Sequence, residues 1–259
     1  MDLGISGKTA IICASSKGLG KGCAMALAEA GCAVVINGRT AETLENTAAE
    51  IRQETGAKVT TVIADVSTAA GQRALLQACP QPDILVNNNG GPPRKDYTLL
   101  DREAMIAGVV QNMITPIELI QAVTPAMKAN NFGRVVNITS LSVLSPLEGL
   151  DLSSGARAGL TSFLAGVVRQ LAPHGITINN ILPGKMDTDR LRGGLRATAQ
   201  NTGATEEEVA AKQRQEIPAR RFGTPEEFGN ACAFLCSQHG GYITGQNLLM
   251  DGGLFASAF

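Results

Sequence analysis

The 259 residues carry 22 Lys and Arg against 23 Asp and Glu, a net charge of −1, with 44% hydrophobic and 17% charged residues. That balance lacks the basic excess of a nucleic-acid binder, and the length suits one α/β domain with a full-sized core. The N-terminus MDLGISGKTAII has no long apolar stretch and no window reads as a membrane span. A cytoplasmic protein without a membrane partner is therefore expected.

Short apolar runs alternate with helical patterns. Strands are expected at 10–13, 33–37, 58–64, 83–87, 134–139, 177–182 and 247–250. Helices are expected after Gly20, at 41–55, 68–79, 101–130 as one long element, and 153–172. Apolar strands this short between helices read as a parallel sheet covered on both faces, a doubly wound α/β fold in a single domain over 1–259. One irregular, polar, arginine-rich insertion runs from Lys185 to Phe222. The six cysteines form no C-x-x-C pair, and Cys232 and Cys236, one helical turn apart, read as buried thiols. Neither His174 nor His239 has a ligand-spaced partner, so no metal is expected.

The first strand runs into the loop ASSKGLG, whose Gly18 and Gly20 open a helix. Glycines let the backbone approach a pyrophosphate, and free N–H groups at the helix start favour its charge. With a strand before it and a strand–helix unit around it, the loop reads as a dinucleotide cradle. At the end of the second strand stands Gly38, where a carboxylate would bond a ribose 2′-hydroxyl. Arg39 follows, with a planar fork suited to phosphate, and Lys17 supplies a second cation expected on the same side. NADP(H) is expected over NAD(H).

The loop resembles the T-G-x-x-x-G-x-G turn of the short-chain dehydrogenase/reductase family, with Cys13 and Ala14 for the Thr and first Gly. Asp65-Val66 is similar to the family pair beside the adenine. Asn87-Asn88-Asn89-Gly90 is similar to its N-N-A-G, with Asn89 for Ala. Pro183-Gly184 and Thr188 resemble its P-G-x-x-x-T, whose Thr holds the nicotinamide carboxamide, and YITGQNLLMDGG resembles its closing Y-x-T-G-x-x-x-x-x-D-G-G. The resemblance spans nearly the whole chain and implies a Rossmann fold. The cofactor positions it implies, with the loop reading, are Ala14, Ser16, Lys17, Gly18, Leu19, Gly20, Arg39, Asp65, Val66, Asn88, Gly90, Arg157, Pro183, Gly184 and Thr188. It also implies a homotetramer or homodimer through helices 101–130 and 153–172, and a substrate lobe at about 185–222.

At the catalytic positions the chain departs from the family, whose members use Asn, Ser, Tyr and Lys. Asn112 and Ser140 match the first two. Ser153 stands where the Tyr would be and Arg157 where the Lys would be. A phenol near pKa 10 can be drawn toward working pH by an ammonium, whereas an aliphatic hydroxyl ionises much less readily. A guanidinium stays protonated and can bond a ribose or an oxyanion. For Ser153 an ordinary helix N-cap stands beside the catalytic reading. Tyr97, Lys185 and Ser142 are alternative proton carriers. The halohydrin dehalogenases also replace the Lys by Arg, but they keep the Tyr and lack the nucleotide loop, the reverse of this chain.

Three functions remain open at the sequence. The first is an NADP(H)-dependent oxidoreductase on a carbonyl or alcohol, 3-oxoacyl reductase-like, with an altered proton relay. The second is a non-catalytic or regulatory NADPH-binding protein. The third is a lyase or isomerase with Arg157 as oxyanion clamp. Arg190, Arg192, Arg196, Arg214, Arg220 and Arg221 of the insertion read as a solvated lid or as recognition of an anionic small-molecule substrate.

Overall fold

The computed structural model describes residues 1–92 and 94–257. Seven parallel strands form one sheet: β1 (Thr9–Ile12), β2 (Ala33–Gly38), β3 (Val59–Ile63), β4 (Ile84–Asn87), β5 (Gly133–Ile138), β6 (Ile176–Pro183) and β7 (Asn247–Met250), in the order β3-β2-β1-β4-β5-β6-β7. All seven match the expected runs. Strand alternation splits the core. Ala10, Ile12, Val34, Ile36, Val86 and Val136 point to one face, where they meet α1 (Gly18–Glu29) and α9 (Pro225–Cys236) through Leu27 and Phe228. Ile11, Val35, Leu85, Val135 and Ile178 point to the other, against α5 (Thr115–Ala129) and α6 (Asp151–Leu171) through Leu119, Val123, Leu160 and Leu164. Burial on both faces is why these strands are apolar throughout. The order reverses between β1 and β4, the switch point outside whose strand ends such folds bind ligands.

Side-chain caps open several of the helices. Thr68 caps α3 (Ala69–Ala78) and Asp101 caps α4 (Arg102–Val109), each accepting from a backbone N–H. Capping boxes open α8 (Glu206–Glu216) with Thr205 and Glu208, and α9 with Thr224 and Glu227. The helix α2 (Ala41–Thr55) ends at Gly56, whose φ of 68° suits a residue without Cβ.

Three expectations are corrected. The long helix 101–130 is interrupted by a π turn, Val110–Ile114, between α4 and α5. Pro116 has no N–H to offer the Asn112 carbonyl, so the regular ladder fails there. The insertion is not irregular: it folds as α7 (Asp189–Thr202) and α8, which share a small core of Leu195, Ala199, Val209 and Ala210. The run Arg102–Ala129 is also 28 residues long with a mean hydropathy of 1.3 in its best window, enough by length and composition to cross a membrane. That overturns the expectation that no window does. Here it lies on the sheet, with Leu119, Ile120, Val123 and Met127 buried.

A polar line crosses the sheet. Asn87, Asn137, Asn180 and Asn247 sit in register on β4, β5, β6 and β7. Asn87 Nδ2 donates to Asn137 Oδ1 at 2.9 Å, Asn137 Nδ2 to Asn180 Oδ1 at 2.9 Å, and Asn180 Nδ2 to Asn247 Oδ1 at 2.8 Å. Mutual pairing is what allows three of these amides to be buried.

Candidate active site

The glycine loop lies at the switch point. Gly18 has φ +58°, and Gly20 packs so closely that a Cβ would stand 2.5 Å from the Ala14 carbonyl oxygen. That oxygen accepts from Asn88 Nδ2 at 3.0 Å, tying the loop to the end of β4. Like α2 and α6, α1 has no side-chain cap, so no side chain takes up its first N–H groups. Gly90 faces open space, and Thr188 lies across the loop, its Cγ2 3.6 Å from where a Gly18 Cβ would be. A pyrophosphate fits this cradle. Leu19 packs on the core behind it, and Val66 is buried with its side chain turned inward. The Gly184 N–H donates to the Met250 carbonyl at 2.9 Å, which holds the Pro183-Gly184 turn against β7.

Ala14 itself adopts φ 44°, the left-handed region, where a Cβ is strained. Such strain costs about 1–3 kcal/mol, of which the added chain entropy of glycine offsets about 0.4–1. Ala14→Gly is expected to stabilise the ligand-free protein by about 1 kcal/mol, raising Tm by about 2–4 °C. Thermal unfolding checks this; a lower Tm would show that the methyl packs usefully.

The two cations of the cofactor reading have different neighbours. Arg39 lies beside Asp65, whose carboxyl is held below the ordinary range by the hydroxyl and amide of Ser67, with Arg39 adding to the effect. Ser16 faces Gly38, its Oγ 3.1 Å from where a Cβ would stand. Lys17 Nζ lies 3.4 Å from Asp189 Oδ2 at the start of α7.

The π turn places Asn112 at a buried cavity of about 20 Å³, lined also by Asn87, Asn88, Asn89, Thr115, Asn137 and Arg157. That is room for one water. Asn112 Nδ2 donates to the Gly108 carbonyl at 3.2 Å, while Asn112 Oδ1, Asn87 Oδ1 and Thr115 Oγ1 have no protein partner. Arg157 closes the cavity from α6. Its Nη1 donates to the Ile138 carbonyl at 2.5 Å and its Nε to Ser153 Oγ at 3.2 Å. Burial, and secondarily Arg190, lowers its pKa to about 10, so it remains a cation at neutral pH.

Ser153 is not an N-cap: Leu150 holds that position and Ser153 lies buried in the first turn of α6. Ser140 follows β5. Its oxygen accepts from the Ser142 hydroxyl at 2.9 Å and the Ser142 amide at 3.1 Å, which leaves its own proton to donate. Tyr97 is 73% exposed and Lys185 pairs with Glu216 at 2.7 Å, so neither is held at this cavity. Sequence reasoning missed Thr115 and the Asn87–Asn137 pair; Pro116 was the available signal. It also missed Arg94 and the bonds of Arg190 to the loop after β4. No group of three or more His, Cys, Asp or Glu among the described residues could hold a metal.

The family profile described as Enoyl-(Acyl carrier protein) reductase matches residues 13–255. The chain is 31% identical to the 3-oxoacyl-[acyl-carrier-protein] reductase FabG of Aquifex aeolicus, over 98% of this chain and all of that protein. It is 30% identical to the NADPH-dependent reductase BacG of Bacillus subtilis, over 98% of this chain and all of that one. Among solved structures, L-sorbose reductase from Gluconobacter frateurii complexed with NADPH and L-sorbose superposes with a TM-score of 0.94 at 27% identity, over 99% of this chain and 100% of that one. With a glycine cradle at the switch point of a seven-stranded parallel sheet and relatives of this kind over its whole length, the chain belongs to the short-chain dehydrogenase/reductase family.

Proposed function

We propose that the protein is an NADP(H)-preferring oxidoreductase acting on a carbonyl or alcohol, 3-oxoacyl reductase-like, whose centre of Asn112, Ser140, Ser153 and Arg157 binds better than it transfers protons. When bound, NADPH supplies the hydride. The protein's own residues do the rest. Ser140, with its oxygen already taken up by Ser142, directs its proton to the substrate oxygen. Ser153 offers a second hydroxyl, kept in place by the Arg157 Nε. Arg157 presents fixed positive charge near developing oxyanion charge. Asn112 holds the buried cavity open through its unpartnered carbonyl oxygen.

The carrying observation is the bond from Arg157 to Ser153: a guanidinium and an aliphatic hydroxyl occupy the first turns of α6, and neither is a tuned acid. The same bond, with the tie to Ile138, favours the second reading, a regulatory NADPH-binding protein. The proposal extends to a cytoplasmic homotetramer, supported by exposed Met105, Ile106, Ile114 and Phe163 on the α4–α5 and α6 faces.

Arg39, Gly38 and Ser16 support the cofactor preference. Calorimetry is expected to show NADPH binding more tightly than NADH, and Arg39→Ala to erase most of that difference. Equal affinities in the native protein would refute the preference. NADPH binding without any carbonyl turnover would favour the regulatory reading.

A further inference from the structure

Three of the six arginines of the α7–α8 lobe are neutralised. Arg192 pairs with Asp187 at 2.9 Å, Arg214 with Glu207, and Arg221 with Glu227, while Lys17 takes Asp189. Arg190 is one of those left. In the first turn of α7, it reaches across to the loop after β4, its Nη2 3.3 Å from the Pro92 carbonyl oxygen and its Nη1 3.5 Å from that of Gly91. It lies so close that a Cβ on Gly91 would stand 2.6 Å from Nη1. Arg94, on the same loop, packs over the turn that leads into α6, its Cβ 3.7 Å from where a Gly149 Cβ would be. Arg157 lies in the second turn of α6, below.

Among the described residues, Arg94, Arg157 and Arg190 have no acidic partner within ion-pair distance. They feel one another: Arg190 helps lower the Arg157 pKa, and Arg94 that of Arg190, each after burial. Three mutually repelling guanidinium groups drawn from three segments gather positive charge that no ion pair among the described residues offsets. An anion placed between them relieves that repulsion and gains forked, charge-assisted hydrogen bonds.

We infer that Arg94 and Arg190, backed by Arg157, receive an anionic group, a carboxylate or a phosphate, on the carbonyl substrate. This rests on the oxidoreductase reading, since it places the group on the molecule being reduced. Carbonyl compounds with an acidic tail are the substrate class, and neutral ketones bind without this contribution.

The test is calorimetry on protein saturated with NADP⁺, where no reduction occurs. The probes are levulinate against methyl levulinate, and dihydroxyacetone phosphate against dihydroxyacetone. At least one anion is expected to bind about tenfold or more tightly than its neutral partner, and added salt to reduce that ratio. Arg190→Gln is expected to bring the ratio close to one and Arg190→Lys to restore part of it, with NADP⁺ affinity unchanged in both. Levulinate preference identifies a carboxylate, and phosphate preference a phosphorylated ketone. Equal binding within both pairs, or none, overturns the inference while leaving the cofactor reading intact. Weaker NADP⁺ binding by Arg190→Gln also overturns it, because the arginine would then serve the cofactor's own phosphates. Failure of NADP⁺ to bind the native protein removes the oxidoreductase reading and this inference together.

Discussion

Replacing Ser153 by Tyr and Arg157 by Lys in one variant is expected to raise ketone reduction about 10²–10⁴-fold, the range general acid–base catalysis contributes. Both changes are needed. In the native protein the Arg157 guanidinium spans Ile138 and Ser153, two bonds that fix its plane and its charge. A phenol at position 153 alone would face that fixed group, which carries no lone pair and cannot relay a proton. Lysine is compact, has three rotatable donors and shifts its pKa readily when buried. Beside it a phenol near pKa 10 is drawn toward neutral pH. Ser153→Tyr alone should therefore gain less. Steady-state kinetics on a neutral ketone panel, with NADPH binding measured in parallel, decides the matter. A double variant that folds and binds NADPH but gains nothing would show that the pocket, not the proton donor, limits the reaction.

Asn137→Ala is expected to destabilise the protein by about 2–5 kcal/mol. Asn137 is 1% exposed and carries the middle of the amide line: it accepts from Asn87 and donates to Asn180. Truncation removes both bonds, leaving the Asn180 acceptor without its donor and Asn87 Nδ2 with only the long bond to the Pro116 carbonyl at 3.4 Å, each costing about 1–3 kcal/mol. The Tm should fall by roughly 5–15 °C for a chain of this length. Asn247, exposed at the end of the same line, is the control: Asn247→Ala should cost less than about 1 kcal/mol, since water replaces the lost amide. Equal costs at the two positions would mean that the line contributes nothing beyond its individual side chains.

The sheet was legible because burial on both faces forces continuous apolar runs such as AIICA, AVVIN and DILVN, and those seven runs became the seven strands. The glycine loop was legible for a different reason: Gly18 needs positive φ and Gly20 needs the absence of a Cβ, so residue type reports backbone directly. Less visible were features fixed by long-range contact. Pro116 marked a break in the long helix, yet Pro125 in α5 is accommodated without one, so proline alone does not announce a π turn. The lobe helices were hidden because α8 is polar on nearly every side and buries only Val209 and Ala210. Lys17 and Arg39 flank one loop in sequence, and sequence alone did not show that Lys17 takes Asp189 as its partner. Of the lobe's arginines, sequence could not say which were neutralised; the placement of Asp187, Glu207 and Glu227 pairs Arg192, Arg214 and Arg221 and leaves Arg190, with Arg196 and Arg220, without an acidic partner among the described residues.

The central claim is that the site binds NADPH and holds a carbonyl but lacks a tuned proton donor. Its most direct test is the pH–rate profile of neutral ketone reduction by the native protein saturated with NADPH. The expected result is a kcat well below the ordinary enzymic range of about 1–10³ s⁻¹, rising steadily as pH falls because solvent supplies the proton, with no plateau from an ionising side chain. A kcat inside that range, with an inflection marking a protein acid, would contradict it.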